Sequence, residues 1–141
     1  MADLEEEKFR SDFEKVCKKY NWSTRHVTGS DGLQDELMFK EGLGITVELK
    51  SVKPININHS LRNKFKATQM PFYLTQIAES NTPTYIAVKY IFDKPYYGVY
   101  CLKNVKQIID FFSLKWKDLP ESHNMVSIDK IIEWIEGTLN V

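Results

Sequence analysis

Apolar residues recur with two different periods along this chain. Between residues 4 and 20, Leu4, Phe9, Phe13, Val16, Cys17 and Tyr20 fall on one side of a helical projection, which predicts an amphipathic helix. Turn formers follow (Asn21, Ser23, Thr28, Gly29, Ser30, Gly32), so residues 21–34 read as a loop with a short strand near 25–27. The period then changes to two over Ile45–Lys50, and Asp35–Phe39 is a second candidate strand with Leu37 and Phe39 on the face of Asp35; Lys40-Glu41-Gly42-Leu43-Gly44 separates them, predicting a hairpin folded about Gly42. The second arm, Ile45 to Lys50, reads as a strand with one face buried.

Pro54 ends that strand, and a polar connection carries Arg62, Lys64 and Lys66. Thr68 caps an expected helix over 69–80, with Pro71 in its first turn, where a missing N–H does little harm. Strands are expected over 85–92 and 96–102 around Asp93-Lys94-Pro95, then a helix over 105–114. Beyond Pro120, Ile128, Ile131, Ile132, Ile135 and Leu139 predict a last amphipathic helix with Ser127 as its N-cap. The order helix, strand, strand, helix, strand, strand, helix, helix describes an α/β domain with a mixed sheet flanked by helices. Helix 69–80 is the crossover between two parallel strands. The whole of 1–141 is read as one domain, with residues 116–141 as a C-terminal helical extension.

At 43% apolar and 27% charged, the composition is that of an ordinary soluble globular protein. The acidic start (Glu5, Glu6, Glu7) is followed by no long apolar run, which points away from a signal peptide or membrane span and toward a cytoplasmic protein. Cys17 and Cys101 match no metal or disulfide spacing and read as reduced core residues. The net charge is zero, yet residues 50–117 hold eleven Lys or Arg against three acids, Glu79, Asp93 and Asp110. The balancing acids lie at the two ends and around positions 31–48. A basic middle facing an acidic cluster suits a protein that holds both a polyanion and a metal; a solvated lysine-rich surface is the plainer alternative.

The candidate chemistry lies in the hairpin. Glu48 and Lys50 project from one face of their strand and Val47 and Leu49 from the other. Folding about Gly42 brings Asp35 opposite the Glu48–Lys50 segment, and a one-residue slip would send Asp35 to the wrong side. Asp31, in the loop, is the fallback acid. Two carboxylates on neighbouring strands make a site for Mg²⁺ or Mn²⁺, hard cations that take oxygen ligands and keep several waters. Such an ion activates a phosphodiester toward water, with Lys50 orienting the water or stabilising charge on the phosphate. Glu14 flanks the apolar stripe of the first helix and can point along the core edge toward a site. The alternative is an exposed Glu48–Lys50 pair with no role in function.

Gly32-Leu33-Gln34-Asp35, followed thirteen positions later by Glu48-Leu49-Lys50, resembles the G-x-x-D…E-x-K signature of PD-(D/E)xK nucleases, with Gln34 where the family name puts proline. Glu14 is placed like the helix glutamate that completes the metal site in Holliday-junction resolvases. Thr68-Gln69 resembles the glutamine that opens the helix after E-x-K in the RecU and VRR-NUC branches. Residues 85–112 are similar to the C-terminal half of RecU-type resolvases. The resemblance covers about residues 5–115 and implies a restriction-endonuclease-like fold and metal-dependent hydrolysis of DNA, most specifically of four-way junctions. It implies Asp35, Glu48 and Glu14 as ligands of Mg²⁺ or Mn²⁺, Lys50 beside the attacking water and Gln69 in support. Lys53, Arg62, Lys64 and Lys66 would contact backbone phosphates. Resolvases of this kind act as homodimers; the isoleucine face of the last helix, or Tyr96 and Tyr97, are the candidate contacts. If phage-encoded, the protein would work in the host cytoplasm.

Two other readings share these residues. A restriction- or repair-type nuclease, or a viral RNA endonuclease, keeps the fold and changes the substrate, and His26 would suit the RNA enzymes as an added ligand. A non-catalytic nucleic-acid- or protein-binding module keeps the fold without the chemistry.

Overall fold

The computed structural model describes residues 4–28, 34–53, 71, 73–74, 84–91, 94–115 and 125–139. In chain order these form helix α1 (Leu4–Lys19), strands β1 (Ser23–Thr28), β2 (Gln34–Lys40), β3 (Leu43–Val52), β4 (Thr84–Ile91) and β5 (Pro95–Leu102), and helices α2 (Val105–Ser113) and α3 (Ile128–Leu139). Pro71, Tyr73 and Leu74, inside the expected crossover, are helical. The strands make one mixed sheet in the order β1-β2-β3-β4-β5. Only β3 and β4 among these neighbours run parallel, the relation expected of strands joined by a crossover.

Local sequence explains how each junction closes. α1 carries Glu5, Glu6 and Glu7 in its first turn and Lys18 and Lys19 in its last, matching the helix dipole. It stops at Asn21, whose φ of 67° is left-handed. Asn21 N–H then bonds the Lys18 carbonyl at 3.0 Å and Trp22 N–H the Cys17 carbonyl at 2.9 Å, a Schellman ending that turns the chain into β1. Between β2 and β3, Glu41 (φ 51°) and Gly42 (φ 81°) are both left-handed inside the closing pair Lys40–Leu43, the two-residue turn that suits twisted strands. At the start of α2, the Asn104 side chain accepts from Gln107 N–H at 2.9 Å, and the Gln107 side chain accepts from Lys103 N–H at 2.7 Å.

Each face of the sheet is covered. On one face α1 and α3 pack Phe9, Phe13, Ile131 and Ile135 against Met38, Val47, Leu49 and Ala87. On the other, α2 and Tyr73 pack Ile108, Phe111 and Phe112 against Ile86, Val88 and Tyr100. The central strand β3 is therefore buried on both faces from Val47 to Val52. This corrects the expectation of a single buried face: Glu48 and Lys50 interrupt the apolar run without lying in solvent.

The last helix also departs from expectation. Its isoleucine face belongs to the core and not to a dimer contact, Ile131, Ile132 and Ile135 being wholly buried beside Phe9 and Phe13. Tyr97 is likewise used inside the fold, its ring 5.7 Å from Phe9 and its backbone bridged to Met125. The far end of α3 is tied to the hairpin: Lys40 Nζ donates to Glu136 at 2.8 Å and to the Tyr20 carbonyl at 2.9 Å, and Trp22 Nε1 donates to the same Glu136 oxygen at 3.1 Å.

Candidate active site

The antiparallel register of β2 and β3 sets Asp35 directly opposite Glu48. Residues paired in this way belong to the same face of the sheet, and Lys50, two positions along β3, belongs to it too. Glu48 is 3% exposed and Lys50 8%, with Lys50 Nζ 3.5 Å from Glu48 Oε1. Their neighbours on β4 in the same register are Ile86 and Val88, both fully buried. A carboxylate and an ammonium set among apolar groups are costly to desolvate, so this pair is unlike a solvated surface bridge. The exposed-pair alternative does not describe it.

Other predicted residues fall elsewhere. Lys53 is exposed just beyond the end of β3, on the side of the sheet's edge where the Asp35–Glu48 rung lies. Asp31, Arg62, Lys64, Lys66 and Gln69 lie outside the described residues.

Glu14 does not join Glu48. α1 packs on the Val47 and Leu49 face of β3, the face opposite Glu48, and there Glu14 lies beside Glu36. The helical position of Glu14 was readable from its spacing; the face of the sheet that α1 would cover was not. His26 also belongs to this second group, with Nδ1 3.2 Å from Glu36 Oε1.

Glu36 is the residue that sequence reasoning missed. It is 1% exposed, and both carboxylate oxygens are buried without a hydrogen-bond donor. Arg10 Nε approaches Oε1 at 3.8 Å from α1, while His26 stands across from Glu36 in the β1–β2 register. Burial, and after it the Glu14 carboxylate, push the Glu36 carboxyl up to about 8, with Arg10 pulling the other way. The available signal was alternation itself: Glu36 shares a face of β2 with Met38, so placing Met38 in the core places an acid there as well. Nearby, burial raises the Cys17 thiol to about 12, which makes it an inert core residue. Both cysteines are free.

Glu48 offers an oxygen donor of the kind a hard divalent cation takes, and the register sets the backbone of Asp35 opposite it on the neighbouring strand. Among the described residues no group of three His, Cys, Asp or Glu side chains is arranged to hold a metal ion, so Glu14, Glu36 and His26 do not make a second centre. No family model matches the chain, and no curated protein is significantly similar to it.

Proposed function

We propose that the chain is a metal-dependent endonuclease of the restriction-endonuclease-like class that hydrolyses DNA phosphodiesters, with branched DNA such as four-way junctions as the preferred substrate. The observation that carries this reading is the in-register rung Asp35–Glu48, with Lys50 buried beside it. The mixed five-stranded sheet flanked by helices is compatible with that class.

In this reading Asp35 and Glu48 hold Mg²⁺ or Mn²⁺. Held there, such an ion would supply polarisation of the scissile phosphate and a more acidic water. Glu48 is held in place by the central strand, so its carboxylate loses little freedom on binding the ion. Lys50 keeps its ammonium beside Glu48 and supplies positive charge where the phosphate gains negative charge in the transition state. Lys53 is exposed past the strand end, and in this reading it contacts a backbone phosphate. The RNA-endonuclease variant has lost the feature that recommended it, because His26 contacts Glu36 on the far face.

The test is cleavage of a four-way junction, a linear duplex and an RNA hairpin, each with Mn²⁺, Mg²⁺ or EDTA. Metal-dependent cutting of the junction, abolished by Glu48→Gln, is the expected result. No cutting of any substrate, or equal activity of Glu48→Gln, overturns the reading.

A further inference from the structure

The face of the sheet that carries Glu48 continues toward the β2–β3 turn as two further rows. Across β1, β2 and β3 the register sets Arg25, Leu37 and Thr46 in one row and Ser23, Phe39 and Gly44 in the next. The core packed by α2 draws on β3, β4 and β5 and takes no residue from β1 or β2. Ser23, Arg25, Phe39 and Gly44 are accordingly exposed, with Leu37 and Thr46 half-buried between them.

Phe39 is 43% exposed, although Met38 beside it in the chain is fully buried on the other face. Its ring lies over Gly44, where an added Cβ would stand 3.4 Å from Cδ1 and 3.6 Å from Cε1. The glycine thus lets the ring rest on the backbone of β3. A lone exposed ring is ordinary for a protein surface, and its setting is what gives this one a use. Arg25 stands diagonally across the β1–β2 ladder, a separation that a long side chain spans, and it forms no ion pair among the described residues. The two rows hold one cation and no acid.

An open ring beside an unopposed guanidinium suits a polyanion with flat bases: the ring takes the face of any base, and the arginine takes a phosphate beside it. Inside a duplex both faces of each base are already stacked, and a face is left open only where strands part or end. Four residues separate Phe39 from the Asp35–Glu48 rung, about 13 Å at the rise of a strand. A stacked DNA strand covers that span in about four nucleotides. We propose that this face binds unpaired nucleotides of a branched DNA, with Phe39 stacking on a base left open where strands part and Arg25 contacting an adjoining phosphate. The position of the cut relative to that base rests on the endonuclease reading above; the binding of the open strand does not.

Binding is measured by fluorescence anisotropy in EDTA, so that no cleavage intervenes, with a short labelled oligothymidylate and a duplex closed by loops at both ends. Both positions are exposed, so variants at either are expected to fold. Wild type is expected to bind the open strand more tightly than the closed duplex. Phe39→Ala and Phe39→Leu are each expected to weaken that binding at least about fivefold, while Phe39→Trp, which keeps a stacking ring, stays within about twofold of wild type. Arg25→Ala is expected to weaken binding and to flatten the salt slope by about 0.7, the share of one phosphate contact on a single strand. Phe39→Leu still covers Gly44, so a ring that serves only the hairpin would leave this variant binding like wild type, and that result overturns the surface. A wild-type protein with no affinity for the open strand overturns it as well. Metal-dependent cleavage with unchanged binding in these variants removes the surface and leaves the endonuclease. Binding that follows the expected pattern in a protein that cuts nothing keeps the surface and removes the endonuclease.

Discussion

Glu36 and Glu48 are buried carboxylates on neighbouring strands, and their surroundings set opposite expectations for substitution. Glu48 has Lys50 at 3.5 Å and Asp35 across the ladder, so Glu48→Gln keeps the shape and removes the charge that would hold a cation in the proposed reading. Cleavage of a junction substrate is expected to fall on the order of a hundredfold or more, with substrate binding retained in a gel-shift assay. Glu36 offers no oxygen to that site. Glu36→Met in the metal-free protein is expected to stabilise the fold by roughly 1–3 kcal/mol, read from urea unfolding. The pH dependence has a definite sign. The Glu36 carboxyl is raised on folding from 4.5 to about 8, so its contribution to stability is complete below 4.5 and is lost as pH rises through about 8. The advantage of Glu36→Met is therefore expected to be larger at pH 9 than at pH 5. An unchanged difference between the two would contradict the assignment.

Elements were more legible than their neighbours. The period-two arms, the positive-φ turn at Gly42 and the 3.6-residue stripe of α1 each specify local structure from local sequence, and they appear within a residue or two of their expected ends. The hairpin register followed from the turn: with Lys40 and Leu43 closing two residues, Glu48 is the β3 residue that Asp35 meets. Burial was harder to read. Alternation in β3 implied a wet face because Glu48 and Lys50 are polar, and it is the candidate site that breaks the pattern of an otherwise apolar central strand. Which face α1 would choose depends on packing between distant segments, which spacing within α1 does not encode; Glu14 was misassigned for that reason. The isoleucines of α3 pose the same question and admit a direct measurement. Ile132 is fully buried in the core shared with α1, so Ile132→Ala is expected to destabilise by about 2–5 kcal/mol in thermal or urea unfolding. A dimer-face residue would instead change the oligomeric state and leave monomer stability nearly unaltered.

For the whole molecule, zero net charge conceals a basic middle, and that distribution bears on the DNA reading. Backbone contacts release counterions, so junction affinity is expected to fall steeply between about 50 and 200 mM salt. Lys53→Ala is expected to weaken binding to every DNA tested by a similar factor and to flatten the salt slope by about one. Sequence-dependent loss would mean that Lys53 reads bases. No helix among the described residues is long and apolar enough to cross a membrane.

The wedge of α3 into the core around α1 also orders events during synthesis. The strands bearing Asp35, Glu48 and Lys50 leave the ribosome well before Ile128–Leu139 does, yet one side of their sheet cannot close until those isoleucines arrive. A nascent chain stalled short of residue 128 thus exposes Phe9, Phe13 and Met38 to chaperones and proteases, and the β2–β3 hairpin is fully packed only once α3 has been made.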